Sequence, residues 1–263
     1  MSVDAPVDVL LVAGGRWHDV DFARARLLDP LVGHDVVRAT VTDDYGDLSV
    51  LDRPNSVLVT WTCDVRPSAE AAEQLASYVR GGGRWLALHA SNSAIDVVET
   101  GGRRRYATPR VLGPVAEVLG SQFLAHPPIA PFTVRVRRPE HPLVQGIADF
   151  TTRDELYVTE VHEPITTLLS APFTGECPSF LEGGGVSGDW PVLHLKSSGD
   201  GTACVFTLGH CRGRWDVRDL GIDDLGTVDR VAWEPPEYDV LLRRLVSWAV
   251  HGDGWPECKQ VAA

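Results

Sequence analysis

The sequence predicts a doubly wound α/β fold, in which a parallel sheet is covered by helices on both faces and carries antiparallel additions. Over the first 90 residues, short apolar runs alternate with stretches of helical spacing, as in strand–helix–strand units with right-handed crossovers. The run from Trp85 to Leu88 has no polar residue, which is typical of a parallel strand buried on both faces. Beyond Gly120, prolines separate shorter extended pieces, and this change of pattern predicts the antiparallel part.

Length, composition and charge limit the class of protein. The chain has 263 residues, 44% of them hydrophobic, and a formal net charge of -12. These values predict one domain, residues 1–263, whose core needs neither disulfides nor a structural metal. The acidic balance argues against nucleic acid or an anionic membrane as a partner. The basic cluster Arg103-Arg104-Arg105 follows two glycines and is predicted to be a solvated loop tip.

The first residues and the cysteines indicate a cellular compartment. Residues 1–7 lack the charged and apolar regions of a signal peptide, and no apolar stretch is long enough to span a bilayer. The five cysteines are odd in number and form no CxxC pair, which argues against a disulfide framework or a zinc ribbon. We therefore expect a reduced, cytoplasmic protein.

Four parallel strands and two helices are predicted in the first third of the chain. The first helix is expected to run from Asp19 towards Leu28, and the second to open at Pro67 and stop at Gly81. After the fourth strand, Ser91-Asn92-Ser93 predicts the cap of a further helix. The strands are expected near residues 7–13, 35–41, 56–61 and 84–88.

The later elements are predicted to be mostly extended. A short helix over residues 109–119 precedes them, and a last helix opens near Pro235 and closes at Gly252 with one apolar face. Pieces at residues 132–137 and 156–161 are expected at the sheet margin or in an added lobe. The remaining extended pieces are expected at residues 167–169, 190–195 and 202–207, the last two forming a hairpin around residues 198–201.

Two histidines follow buried strands. His89 comes directly after the fourth strand, and His210 follows the strand at residues 202–207. Because the carboxyl ends of parallel strands form the ligand crevice of such sheets, both imidazoles are expected in one pocket. His126 and Glu155 are expected to reach that pocket from the loops that cover it.

These groups suit two kinds of chemistry, and the sequence leaves both open. Neutral imidazoles of His89, His126 and His210 with the Glu155 carboxylate suit Zn²⁺ or another divalent ion. Without a metal they form a proton-transfer set, in which His89 or His210 is the base and Glu155 or Tyr157 moves the second proton. The chain has no GxGxxG motif and no Walker lysine, so no nucleotide cofactor is expected.

Cys63 is the candidate for nucleophilic catalysis. The strand before His89 resembles the approach to a nucleophile elbow, but a histidine stands at its tip and no GxSxG motif occurs. Cys63 follows the third strand and precedes Asp64, an acidic neighbour that raises a thiol pKa. We therefore expect that Cys63 is not a nucleophile, and a cysteine hydrolase is the alternative.

An ordered set of short motifs extends over nearly the whole chain, from about Val7 to Gly252. In this order the motifs resemble ThuA-like (trehalose-utilisation) proteins. The resemblance implies a flavodoxin-like, class-I glutamine amidotransferase-like fold. That superfamily places a catalytic cysteine where this chain has His89, so amidotransferase activity is not implied. The motifs are GGRWLALHA at 82–90, GSQF at 120–123 with His126-Pro127, His141-Pro142-Leu143, Asp154-Glu155-Leu156-Tyr157, Trp190-Pro191 and Leu208-Gly209-His210.

The resemblance also implies a small-molecule carbohydrate as the ligand. ThuA-like proteins are associated with catabolism of trehalose and related glycosides, beside oxidoreductases that make 3-keto sugars. We expect an isomerase, lyase or hydrolase of a sugar or keto-glycoside that abstracts a proton next to a carbonyl. The alternative is a non-catalytic glycoside-binding or regulatory module. A homo-oligomer is compatible with either function.

Substrate-binding roles are predicted for five residues. The tryptophans among them lie at strand ends or in loops, where an indole can stack on a sugar ring. The long loop at residues 212–236 and the arginine cluster are departures from simpler family members that are expected to reshape the pocket. The five residues are Trp17, His18, Trp61, His126 and Trp190.

Overall fold

A nine-stranded sheet runs through the structure, a computed structural model that describes residues 5–252. The ends of the predicted single domain, residues 1–4 and 253–263 with Cys258, lie outside the described residues. In chain order the elements are β1 (Val7–Gly15), α1 (Val20–Val32), β2 (Val37–Thr42), β3 (Ser56–Cys63), α2 (Ala69–Arg80), β4 (Arg84–Leu88), β5 (Asp96–Thr100), β6 (Arg103–Ala107), α3 (Pro114–Leu119), β7 (Ser121–Ala125), β8 (Ala130–Val136), β9 (Phe150–Asp154), β10 (Val158–Val161), β11 (Thr166–Gly175), β12 (Val186–Ser198), β13 (Gly201–Phe206) and α4 (Pro236–His251).

The sheet is parallel on one side and antiparallel on the other. Its strand order is β2-β1-β3-β4-β13-β12-β11-β8-β9. The first five of these strands pair in parallel, and the last four pair antiparallel. The predicted parallel pairing of the first four chain strands is therefore confirmed, and so is the antiparallel addition.

Helices cover both faces of the sheet, as a doubly wound fold requires. On β1, Val9 and Leu11 point into one apolar core with α1 and α4, whereas Leu10 and Val12 point into a second core with α2 and α3. Each strand in the middle of the sheet is buried on both faces, which explains its continuous apolar sequence. The apolar face of α4, including Leu241 and Leu245, packs in the first core as predicted.

Four local predictions are wrong, two of them only in the residue where the element begins. Residues 96–107 form the hairpin β5–β6 and not the helix predicted after Ser91-Asn92-Ser93. The two serines bind other partners and do not cap a helix. The Ser91 hydroxyl accepts from Thr60, and the Ser93 hydroxyl donates to the Ala90 carbonyl. The arginine cluster lies in β6, not at a loop tip. The strand expected at residues 156–161 begins at Val158, and α3 begins at Pro114.

Among residues 5–252, every helix is too short or too polar to cross a membrane.

Candidate metal and proton-transfer site

Three loops at the carboxyl edge of the parallel strands bring three imidazoles together. His18 follows β1, His89 follows β4 and His210 follows β13, and all three side chains are buried. Because β1, β3, β4 and β13 are neighbours in one parallel register, their carboxyl ends face the same crevice. The structure therefore has the parallel pairing of β4 and β13 on which the predicted convergence of His89 and His210 depends.

The turns that carry these histidines use unusual backbone conformations. Gly209 has φ 118°, and Ala90 has φ 62° directly after His89. A Cβ atom on Gly209 would lie 2.5 Å from the Tyr238 hydroxyl, so only glycine fits there without displacement. Trp17, directly before His18, has φ 65°, which L-residues rarely adopt. The surrounding fold therefore holds the three histidine turns in place.

Glu155 comes from the opposite end of the sheet. It follows the edge strand β9, and its neighbour Asp154 attaches this segment to the His210 turn. One Asp154 oxygen accepts the Gly209 N–H at 2.7 Å, and the other accepts the N–H of His210 at 3.2 Å and of Glu155 at 2.7 Å. Asp154 thereby positions both Glu155 and His210.

The four side chains present one ligand atom each within 4.8 Å of one another. His18 Nε2 lies 3.1 Å from His89 Nε2 and 3.2 Å from His210 Nδ1. The Glu155 carboxylate lies 3.1 Å from His210 Nδ1 and 3.6 Å from His89 Nε2. Ligands of a tetrahedral zinc ion, with bonds of about 2.0–2.1 Å, are separated by about 3.3 Å. These four separations, 3.1–3.6 Å, are close to that spacing, whereas His18 Nε2 lies 4.0 Å from the Glu155 carboxylate.

Hydrogen bonds set the tautomers of two of the imidazoles. His89 Nδ1 lies 2.9 Å from the Thr207 carbonyl, and His18 Nδ1 lies 2.9 Å from the Arg16 carbonyl. A carbonyl only accepts, so each Nδ1 must carry a proton, and in the neutral ring each Nε2 then carries a lone pair. The two Nε2 atoms consequently face each other as acceptors. A cation bound by both Nε2 atoms would remove the repulsion between their lone pairs. Metal-ligating histidines usually donate their other ring N–H to a carbonyl or carboxylate, as His18 and His89 do here.

Burial keeps the imidazoles of His18 and His89 neutral. It lowers the pKa of His18 well below its usual value and that of His89 to about 4. Burial by itself raises the pKa of the Glu155 carboxyl, but electrostatic interactions with the His126 and His210 side chains outweigh this and hold it well below its usual value. Neutral imidazoles beside an ionised carboxylate are the protonation states that a divalent cation binds.

A cavity of about 340 Å³ opens above this cluster. Glu155 and His18 reach its surface, whereas His89 and His210 do not line it and are only 1% and 2% exposed. Trp17 is the predicted substrate-binding tryptophan that lines the cavity. The size falls at the lower end of small-molecule pockets, about 300–1,000 Å³.

Three further polar side chains line the cavity around Glu155. His126 Nε2 lies 3.5 Å from the Glu155 carboxylate, and its Nδ1 lies 2.7 Å from the Pro127 carbonyl. The Tyr157 hydroxyl lies 3.2 Å from His89 Nε2, and burial, reinforced by the Glu155 charge, raises the Tyr157 pKa well above its usual value. Arg212, which sequence reasoning did not single out, lies 3.8 Å from Glu155. Tyr157 is therefore a neutral donor, and His126 offers an acceptor nitrogen to the cavity.

Two predicted substrate-binding tryptophans lie outside the cavity, and Cys63 lies at its border. Trp61 is fully buried beneath His18 and His89, and Trp190 lies on β12, so neither lines the cavity. Cys63 borders the cavity but is 2% exposed, and burial raises its thiol pKa far above the usual value. The cluster of four possible metal ligands includes His18, whereas His126, which was predicted as a ligand, is not part of it. The position of His18 after the predicted strand β1 could have identified it, because His89 and His210 were singled out for the same reason.

The comparisons with known proteins agree with this architecture. A family model described as ThuA, trehalose utilisation, matches residues 8–220. No curated protein matches the chain. A solved structure described as a putative ThuA-like protein from Parabacteroides merdae is 17% identical with a TM-score of 0.58, over 94% of this chain and 91% of that one.

Two further solved structures share the fold. A cytoplasmic protein from Salmonella typhimurium LT2 is 14% identical with a TM-score of 0.54, over 92% of this chain and 99% of that one. A cold-adapted β-galactosidase from Rahnella sp. R3 is 13% identical with a TM-score of 0.50, over 84% of this chain but 32% of that one. At these identities the likeness concerns the fold alone.

Proposed function

The chain belongs to the ThuA family, described as trehalose utilisation, and on that premise we propose that it is a metal-dependent enzyme that acts on keto-glycosides. The family gives the chain a carbohydrate-related role. The observation that carries the finer proposal is the set of converging lone pairs of His18, His89 and Glu155 beneath a cavity. The proposed reaction begins with loss of a proton from the carbon next to the substrate carbonyl.

His18, His89, His210 and Glu155 would hold the divalent ion, with Zn²⁺ favoured by the nitrogen-rich ligand set. With four protein ligands, such an ion would have to accept a substrate oxygen as a fifth ligand to supply Lewis-acid stabilisation of negative charge on that oxygen. The metal set therefore differs from the sequence prediction in one member, with His18 replacing His126. His126 is thereby left for proton transfer.

His126 is the proposed base. Its Nδ1 donates to the Pro127 carbonyl, so its Nε2 has the free lone pair, and the side chain is 21% exposed, more than the three buried histidines. The Glu155 carboxylate 3.5 Å away stabilises the imidazolium that forms when His126 takes the proton. His89 and His210, which the sequence favoured as bases, do not line the cavity.

Two neighbours complete the proposed proton transfer. Tyr157, held as a neutral phenol, and Arg212 are donors that can orient the substrate oxygens at the polar end of the cavity. The electron pair left on the substrate carbon can expel the glycosidic oxygen, which leaves with a proton, and this is elimination. It can instead form an enediolate, whose former carbonyl carbon takes up a proton while the neighbouring hydroxyl loses one, and this is isomerisation. Product analysis distinguishes the two.

Metal analysis of the purified full-length chain tests the metal site. We expect about one divalent ion per chain in the wild type, and its loss in His18→Ala and His89→Ala. His251→Ala, an exposed histidine paired with His34, is the matched control and keeps the metal. An unchanged metal content in His18→Ala and His89→Ala, or no metal in the wild type after supply of Zn²⁺, would contradict the site.

Deuterium exchange tests the chemistry. With a 3-keto glucoside in D₂O, we expect NMR to show loss of the proton next to the carbonyl, with His126→Ala slower by about 10²–10⁴-fold. His126→Ala should keep its metal, which separates the base from the ligands. Binding of the keto-glucoside without exchange by the metal-loaded protein would refute the enzyme and favour the glycoside-binding module.

We also propose a cytoplasmic location. The described cysteines Cys63, Cys177, Cys204 and Cys211 are buried and unpaired, which suits a reducing compartment. One of the fold relatives is likewise described as a cytoplasmic protein.

A further inference from the structure

The cavity has one polar end and one apolar end. Around Glu155 it is lined by His18, His126 and Arg212. The rest of the wall is mostly aromatic and aliphatic, and most of these side chains, with Phe180 and Leu220 among them, belong to one apolar cluster. Apart from the Tyr157 hydroxyl near Glu155, the polar side-chain groups in that part of the wall include the hydroxyls of Ser179 and Tyr106 and the indole N–H of Trp17, which donates to Asp219.

The backbone of the apolar end is already paired. The Phe180 N–H donates to the Cys177 carbonyl, and the Phe180 carbonyl accepts from Arg105. The Leu220 N–H donates to the Val217 carbonyl, and the Leu220 carbonyl accepts from Arg104. Arg104 and Arg105 thus already use one of the two lone pairs on each of these carbonyls, which leaves fewer acceptors for a hydroxyl-rich ligand.

We infer that the preferred substrate is a glycoside with an apolar, aromatic aglycone, not a disaccharide. The inference rests on the proposed function, because it assigns the sugar ring to the polar end near Glu155. A second sugar ring at the apolar end would bury hydroxyls without partners, which costs about 1–3 kcal/mol for each hydroxyl. An aromatic ring has no such groups and contacts Tyr106 and Phe180 in tilted or edge geometries.

The loop after His210 determines this preference. Val217, Leu220, Ile222 and Leu225 all come from residues 212–236 and form one side of the apolar end. Ile222 is 44% exposed, so a polar substitution there changes the cavity wall without opening the core. Val228 on the same loop is 50% exposed and does not line the cavity. These two residues give a matched pair of variants.

Calorimetric binding of unoxidised glucosides tests the inference without any turnover. The metal-loaded full chain should bind 4-nitrophenyl glucoside at least tenfold more tightly than methyl glucoside or trehalose. Ile222→Asn should weaken 4-nitrophenyl glucoside binding about tenfold and leave methyl glucoside binding unchanged, whereas Val228→Asn should change neither. Equal affinity for the aryl and methyl glucosides, tighter binding of trehalose, or no effect of Ile222→Asn overturns the inference. Failure of deuterium exchange with a keto-glucoside, by contrast, refutes the proposed enzyme.

Discussion

Replacing Gly209 by alanine should destabilise the protein and disturb the histidine cluster together. Gly209 has φ 118°, where an L-residue costs about 1–3 kcal/mol. Its new Cβ would lie 2.5 Å from the Tyr238 hydroxyl, a contact that must be relieved by movement and adds about 1–3 kcal/mol. We therefore expect Gly209→Ala to lower the free energy of unfolding by about 2–6 kcal/mol.

The two contributions can be separated by matched variants. Gly221 also has a positive φ, 77°, but a Cβ there meets nothing within 4 Å, so Gly221→Ala reports backbone strain without the clash. Tyr238→Phe removes the clashing oxygen, after which the nearest ring atom would lie 3.4 Å from the Cβ. Among the described residues the Tyr238 hydroxyl has no hydrogen-bond partner, so Tyr238→Phe alone should cost little.

Urea unfolding of the wild type and the four variants, with metal content measured in parallel, tests this expectation. Gly209→Ala should lose more stability than Gly221→Ala and also lose metal, because the Gly209 N–H bond to Asp154 positions His210. The Gly209→Ala/Tyr238→Phe double variant should regain about 1–3 kcal/mol. If Gly209→Ala is no less stable than Gly221→Ala, or if Tyr238→Phe restores nothing, the reasoning about this turn is wrong.

Two further predictions concern buried titratable groups. Burial lowers the pKa of His194 from 6.5 to about 4, so the unfolded chain binds the proton first and stability falls as the pH drops from 6.5 towards 4. His194→Gln should remove about 2 kcal/mol of the stability difference between pH 7.5 and pH 5 seen in urea unfolding, while the exposed control His251→Gln should not. Burial, with the Glu155 and Asp64 charges, raises the pKa of Cys63, so iodoacetamide should label it at pH 7.5 far more slowly than glutathione. Rapid stoichiometric labelling with loss of activity would instead support the cysteine hydrolase.

The strands and their direction were predictable because each carries its own local signal. The run at residues 85–88 is apolar throughout since β4 lies between β3 and β13 with helices on both faces. The helix predicted after Ser91 failed because capping residues also form tight turns, and the choice depends on partners such as Thr60, distant in the chain.

By itself, the sequence determined the strand order along the chain and the placement of His18, His89 and His210 after strands, because apolar periodicity and glycine turns are local properties. Only the tertiary structure decided which side chains meet. Glu155 reaches the cluster from the far edge of the sheet because Asp154 binds the backbone of the His210 turn. His126 lies at the cavity surface beside Glu155. Leu220 forms part of the cavity wall, and its carbonyl accepts from Arg104, 116 positions earlier in the chain. Such contacts depend on how the loops pack above the sheet, which no spacing in the chain encodes.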